Sequence, residues 1–306
     1  MQTLKVKFLG INFNNPLILP SGILQEIAAH RQAERYGLGG VTVKSLTVES
    51  REGNPMPRVI KYECGFLNSV GLKNPGIKAG VKQLTKFVKD SKIPVIASVF
   101  AVKVSDFVHL ATEVEKIHPA MIELNLSCPN TTDELGQPLG MGVESTAAAV
   151  KAVRKALKKE TKVLAKLSPN VNNIGEVAKA AEVSGADGIT AINTVGPGMV
   201  IDIKTKRPIL GNKEGGLSGP GIRPIAVRCV YDIYKELKIP IIGMGGVETA
   251  KDVIEMMLAG ASLVGVGCAM YSYGFSIYEK IKTGLITYMK DNKIKSLKEL
   301  IGGAHG

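Results

Sequence analysis

The sequence predicts an α/β chain folded as one (β/α)8 barrel, with an N-terminal β-hairpin and insertions on the C-terminal, active-site face. Three observations carry this. Short apolar, β-rich runs recur eight times, and most lead through a polar or glycine-bearing stretch into a helical pattern. The chain has 306 residues, which suits one barrel of about 250 residues with extensions. No Pro/Ser-rich or low-complexity segment divides it, so residues 1–306 read as one domain.

The elements follow in order. Residues 3–14, which contain KVKFLGINF, read as a hairpin closing the barrel bottom. The eight strands fall at 16–20 (PLILP), 40–43 (GVTV), 94–97 (PVIA), 121–124 (MIEL), 163–165 (VLA), 188–192 (GITAI), 240–242 (PII) and 263–266 (LVGV). Continuous apolar runs of this kind suit parallel strands buried on both faces. Helical patterns occupy 77–91, 105–117, 145–157, 174–184, 224–237 and 249–259; Ile77, Val81, Leu84 and Val88 show the spacing in the first. Gly185, Gly260 and the 37–40 region stand where helix C-caps belong. Eight such units joined by right-handed crossovers close a barrel. A doubly wound open sheet is the other arrangement the alternation permits. Residues 51–75 and 197–223 are insertions after the second and sixth strands, on the side where barrel active sites are built. Residues 275–300 read as one or two amphipathic helices.

Composition narrows the function. Hydrophobic residues make up 45%, enough for a large core. The net charge of +12 raises nucleic-acid binding. However, the lysines lie mostly on helical stretches such as 151–162 and 279–298, there is no long basic block and no Trp, and a solvated surface is the better reading. No apolar run reaches the roughly 20 residues of a membrane helix. The start alternates Lys5, Val6, Lys7 and Phe8 and lacks the apolar core of a signal peptide, so a soluble, cytoplasmic protein is expected. Cys64, Cys128, Cys229 and Cys268 are far apart, with no C-x-x-C, so no disulfide framework, metal site or iron–sulfur site is expected.

In a barrel the residues that end each strand face the active site. They are Ser21-Gly22, Lys44-Ser45, Ser98, Asn125, Lys166, Asn193-Thr194, Gly245-Gly246 and Gly267-Cys268. The set is amide-rich, with two lysines and no carboxylate. It suits an anion, a phosphate and a planar ring bearing carbonyl and N–H groups. Glycines after strands seven and eight let backbone N–H groups approach a phosphate, a frequent use of those units; tight βα turns are the plainer explanation of each alone. Lys44 and Lys166 read as a charge pair for anions rather than as two solvated side chains.

The hexapeptide NLSCPN (125–130) follows the fourth strand. Asn125 and Asn130 bracket Cys128 and can bond an amide-rich substrate as donors and acceptors. Cys128 sits on a polar loop, where a buried structural thiol is out of place. None of His30, His109, His118 and His305 follows a strand end. A thiol without a histidine suits proton abstraction better than acyl transfer. Residues 131–143, with Gly136, Gly140 and Gly142, read as a lid that excludes water. The segment 68–72 (NSVGL) is either an ordinary turn or a nest of backbone N–H groups for a carboxylate.

At these residues the sequence resembles the class 1 dihydroorotate dehydrogenases. The matching stretches are VKSLT (43–47), NSVGLKNPG (68–76), ELNLSCPN (123–130), AKLSPN (165–170), INT (192–194), GGLSGPGIRP (215–224), IIGMGG (241–246) and VGVGCAMY (264–271). MVIDIKTKRPIL (199–210) with GGLSGPGIRPIAVR (215–228) is similar to the type 1B catalytic subunit. The resemblance implies oxidation of dihydroorotate to orotate in de novo pyrimidine (UMP) biosynthesis, with FMN on this chain. It implies Cys128 as the base for the C5 proton, while the C6 hydride passes to FMN. Lys44 would touch both FMN and substrate. Asn68, Val70, Gly71 and Leu72 would form the orotate loop, the last three through backbone N–H groups, and Asn125, Asn130, Asn193 and Thr194 would hold the pyrimidine. Ser21, Ser45, Ser98, Asn125, Lys166, Ile192, Gly219, Gly245, Gly246, Gly267 and Cys268 would contact FMN. It further implies a homodimer core, with two partner subunits carrying FAD and a 2Fe–2S cluster that pass electrons to NAD+.

Three features depart from the family pattern. Ser98 stands where an Asn is usual near FMN. The loop 131–143 is longer than the usual 1B loop. LGMGVES (139–145) is similar to the related dihydropyrimidine dehydrogenase domain, which reduces uracil. An FMN barrel acting on dihydrouracil-type rings, a type 1A-like enzyme without a partner, and a non-catalytic phosphate-binding scaffold are the competing readings.

Overall fold

A computed structural model of the chain describes residues 3–127 and 139–306. Cys128, Asn130 and most of the expected lid lie outside the described residues. The chain opens with β1 (Val6–Phe8) and β2 (Ile11–Phe13), an antiparallel hairpin pairing Val6 with Phe13. Next come β3 (Leu17–Leu19), α1 (Ile27–Arg35) and β4 (Gly40–Thr42). The first insertion forms β5 (Val59–Tyr62) and β6 (Gly65–Asn68). Then follow α2 (Gly76–Asp90), β7 (Val95–Val99), α3 (Val104–Glu115), β8 (Met121–Asn125), α4 (Val143–Ala156), β9 (Val163–Lys166), α5 (Ile174–Val183) and β10 (Gly188–Ala191). The second insertion holds β11 (Val195–Gly198), β12 (Ile201–Asp202), β13 (Arg207–Pro208) and β14 (Gly215–Ser218). The chain continues with α6 (Arg223–Glu236), β15 (Ile241–Met244), α7 (Ala250–Leu258), β16 (Ala261–Gly265), α8 (Ala269–Tyr273) and α9 (Ser276–Asp291).

Strands β3, β4, β7, β8, β9, β10, β15 and β16 pair in parallel, each with the next, and β16 closes on β3. The closed (β/α)8 barrel replaces the open-sheet alternative. Alternation along each strand builds two cores. Leu17 and Leu19 point outward to the helices, whereas Ile18 points into the barrel with Ile96, Met121, Leu164, Ile242 and Leu263. Phe8 and Phe13 plug this inner layer, edge to face with centroids 6.3 Å apart. The hairpin therefore closes the barrel bottom, as its sequence predicts.

Two expected boundaries shift. Strands β8 and β9 extend to Asn125 and Lys166, so these side chains stand inside the barrel on the same alternation as Met121 and Leu164. The short, polar helix α1 is indicated in the sequence only by the glycines that end it. Thr249 and Asp252 form a capping box at the start of α7, and the Asn173 side chain caps α5, each cap being worth about 1 kcal/mol.

The insertions join in a way their sequences do not announce. β11, β14, β6 and β5 form one antiparallel four-stranded sheet in that order, with β14 from the second insertion pairing with β6 from the first. Among the described residues no helix is long and apolar enough to cross a membrane.

Candidate active site

The strand ends converge on two adjoining clefts at the C-terminal rim. Ser21, Lys166, Asn193, Thr194, Ser218 and Cys268 line both. The first cleft adds Lys44, Ser45, Asn68, Val70, Gly71, Leu72 and Asn125. The second adds Ile192, Gly219, Gly245, Gly246 and Gly267. Most residues expected at the substrate line the first cleft and the glycine turns expected at the cofactor line the second, whereas Ser45, expected at the cofactor, lines the first and Asn193 and Thr194 line both.

The loop 68–72 is held from behind. Asn74 accepts hydrogen bonds from the backbone N–H groups of Thr47 and Gly76, at 3.1 and 2.9 Å, and donates to the carbonyl of Leu72 at 2.7 Å. Gly71 and Leu72 both take the left-handed conformation, with φ of 71° and 59°. A Cβ on Gly71 would stand 2.4 Å from Asn54 Oδ1, so only glycine fits. Two consecutive left-handed residues turn the backbone sharply at the wall of the first cleft.

At the far end of the second cleft, Gly246 has φ of 71°, and a Cβ there would meet the Gly219 carbonyl at 2.8 Å. The bare backbone turn leads into the N-terminus of α7, a geometry suited to an anion. The Asp252 carboxylate accepts from the N–H groups of Glu248 and Thr249, at 3.0 and 2.8 Å, and pairs with Arg223 at 2.8 Å. Burial, with Asp252 nearby, raises the Glu248 carboxyl above its ordinary value. The Cys268 thiol donates to Ser218 Oγ at 3.0 Å, and burial pushes its pKa up. It is a neutral contact group there, not a nucleophile.

One expectation needs correction. Ser98, expected at the cofactor, lines neither cleft; it is buried beneath the floor, bonded to Ser45 Oγ at 2.9 Å and to Glu123 at 3.0 Å. The strand ends carry no carboxylate, as read, but one lies below them. Glu123 lies inside the barrel two residues before Asn125, and the same alternation brings it under the site. Its position in an apolar run (MIEL) disguised it. The sequence reading also omitted Phe66, Ser218, Tyr271, Ile23 and Glu248, which line the clefts. Phe66 and Tyr271 meet with centroids 5.7 Å apart, and the Tyr271 hydroxyl donates to the Ile23 carbonyl at 2.6 Å. Nothing in their local sequence marks them, because their pairing is tertiary.

The buried Thr194 Oγ1 has no hydrogen-bond partner. A buried hydroxyl left in that state costs about 1–3 kcal/mol. Thr194 lines both clefts, but this oxygen is packed against Gly216, where an added Cβ would stand 2.0 Å from it. The glycine turn fits a flavin phosphate at the far end of the second cleft, with Lys166 on the wall shared with the first.

The comparisons agree with this geometry. The sequence model of the family described as Dihydroorotate dehydrogenase matches residues 3–289. "Dihydroorotate dehydrogenase B (NAD(+)), catalytic subunit" from Pyrococcus furiosus is 44% identical over 302 residues, covering 98% of both chains. The protein of the same description from Methanothermobacter thermautotrophicus is 41% identical over 303 residues, covering 99% of this chain and 98% of its own. That from Brachyspira hyodysenteriae is 40% identical over 311 residues, covering all of both. Matched over nearly its whole length and folded as the closed barrel that its strand pattern predicts, the chain belongs to the dihydroorotate dehydrogenase family.

Proposed function

We propose that the chain is the catalytic subunit of an NAD+-linked dihydroorotate dehydrogenase, oxidising dihydroorotate to orotate in cytoplasmic pyrimidine biosynthesis. The observation that carries this is the pair of clefts sharing Lys166: one lined by amides and Lys44, the other by glycine turns. Full-length similarity to relatives described as NAD(+) catalytic subunits supports the electron acceptor.

In this reading Lys44 and the backbone of Val70, Gly71 and Leu72 bind the substrate carboxylate. Asn68, Asn125, Asn193 and Thr194 orient the ring, with Asn130 from outside the described residues. Cys128, two positions before Asn130 in the sequence, removes the C5 proton. Ser21, Ser45, Lys166, Ile192, Gly219, Gly245, Gly246, Gly267 and Cys268 hold FMN, with Ser98 supporting them from below. FMN, when bound, supplies the acceptor for the hydrogen and electron pair leaving C6. The word "subunit" in the relatives' descriptions supports a separate electron-transfer partner. We assign FAD and a 2Fe–2S cluster to that partner, in an assembly of two catalytic and two partner chains around a homodimer core.

Purification from the native cell tests this. A yellow protein that oxidises dihydroorotate far faster than dihydrouracil, and reduces NAD+ only with its co-purifying subunit, is the expected result. A preference for dihydrouracil would overturn the substrate, and NAD+ reduction without a second chain would overturn the partner.

A further inference from the structure

The floor of the site contains an acid to which the proposed reaction assigns no step. Glu123 is 1% exposed, in the middle of β8. A lone carboxylate inside a barrel is strongly unfavourable unless hydrogen-bonded or paired. Here Oε1 accepts the hydroxyl protons of Ser98 at 3.0 Å and Ser21 at 3.3 Å. Each hydroxyl has one proton, so these two bonds dictate the next ones. The Ser21 oxygen is left to accept from the Lys166 ammonium, at 3.0 Å. Ser98 has no proton left for Ser45, so Ser45 donates across their 2.9 Å contact. The Ser45 oxygen then accepts from the Asn125 amide N–H at 3.1 Å. Asn125 Oδ1 then faces Ser127, whose hydroxyl and backbone N–H donate to it at 3.2 and 3.4 Å. The Asn193 amide is fixed by the backbone, accepting from the Thr194 N–H at 2.8 Å and donating to the Ser127 carbonyl at 3.1 Å. The carboxylate therefore sets the hydroxyl directions of Ser21, Ser98 and Ser45, between Lys166 and the Asn125 amide.

We propose that Glu123 is the positioning residue of this site: it fixes the hydroxyl network on which the Asn125 amide rests and counterbalances the Lys166 ammonium beside the flavin. It touches neither substrate nor cofactor and acts through Ser21 and Ser98. The inference rests on the proposed reading of the two clefts.

Glu123→Gln tests it, because it keeps the side chain's shape, removes its charge and introduces a donor. With flavin loaded, the variant should bind sulfite at the flavin about tenfold more tightly, as the Lys166 charge is no longer offset. Its Kd for orotate should rise by about tenfold as the Ser45 hydroxyl beneath the Asn125 amide loses its single direction. A fully loaded variant within about twofold of wild type in both measurements would reduce Glu123 to packing and overturn the proposal. Should this variant not fold, Ser98→Ala decides. It lines neither cleft and cuts the link from Glu123 to Ser45, so weaker orotate binding supports the proposal and unchanged orotate binding overturns it. A wild-type protein that holds flavin but ignores orotate and dihydroorotate would defeat the functional reading alone, since the sulfite measurements still judge Glu123.

Discussion

Asn68 donates its side-chain amide to the backbone carbonyl of Gly216 at 3.2 Å, a contact between residues 148 positions apart. It joins the two insertions at the wall of the first cleft, which Asn68 also lines. One residue thus ties the wall together and lines the site, so the insertions and the pocket are built as one unit.

Gly216→Ala follows from the same contact. A Cβ there would stand 2.0 Å from Thr194 Oγ1 and 2.6 Å from Thr194 Cβ. Overpacking of this kind costs about 1–3 kcal/mol. Thermal melting should show that loss, and displacement of Thr194 should raise the KM for dihydroorotate by about tenfold. An unaltered KM would mean that Thr194 does not hold the substrate.

Cys128→Ala should keep its yellow colour and bind orotate, yet lose about two or more decades of turnover. Cys128→Ser should retain some rate at high pH, where the weaker acid begins to ionise. A pH–rate series on both variants checks this; near-normal turnover of the alanine variant at every pH would remove Cys128 from the base role.

The barrel bottom should be separable from the chemistry. Phe13 is fully buried against Phe8 and the inner layer. Phe13→Ala should cost about 3–5 kcal/mol in chemical denaturation while leaving the KM of the folded enzyme unchanged. A KM that shifts as far as the stability would show that the plug and the rim are coupled.

His30 sets an acid limit on stability. Burial lowers the pKa of its imidazole from 6.5, outweighing the carbonyls of Glu26 and Thr42, which raise it. The unfolded chain therefore takes up this proton at a higher pH than the folded one. The contribution is whole above about pH 6.5 and is lost as pH falls through the folded value. The melting temperature of wild type should drop more steeply below pH 6.5 than that of His30→Gln. Parallel curves would show that another group sets the limit.

The barrel was legible because a parallel strand buried on both faces announces itself as an unbroken apolar run, and Leu17–Leu19 or Val163–Lys166 need no distant partner to be recognised. Most of the candidate site was legible for the same reason, since residues just past a run, such as Lys44, Thr194 and Gly245, must lie at the rim. Ser98 was misplaced and Glu123 passed over because an inward side chain within a strand carries no local sign of its depth below the rim.

By itself, then, the sequence determined the eightfold strand repeat, the hairpin plug and the residues gathered at one rim, all consequences of short-range hydrophobic pattern. Tertiary structure alone decided that β6 and β14 form one sheet across the insertions, that Tyr271 meets Phe66, and that Glu123 orders the floor. Those relationships depend on pairings between residues far apart in the chain. Closure of the barrel brings such residues within hydrogen-bonding distance, and no local pattern encodes which of them will meet.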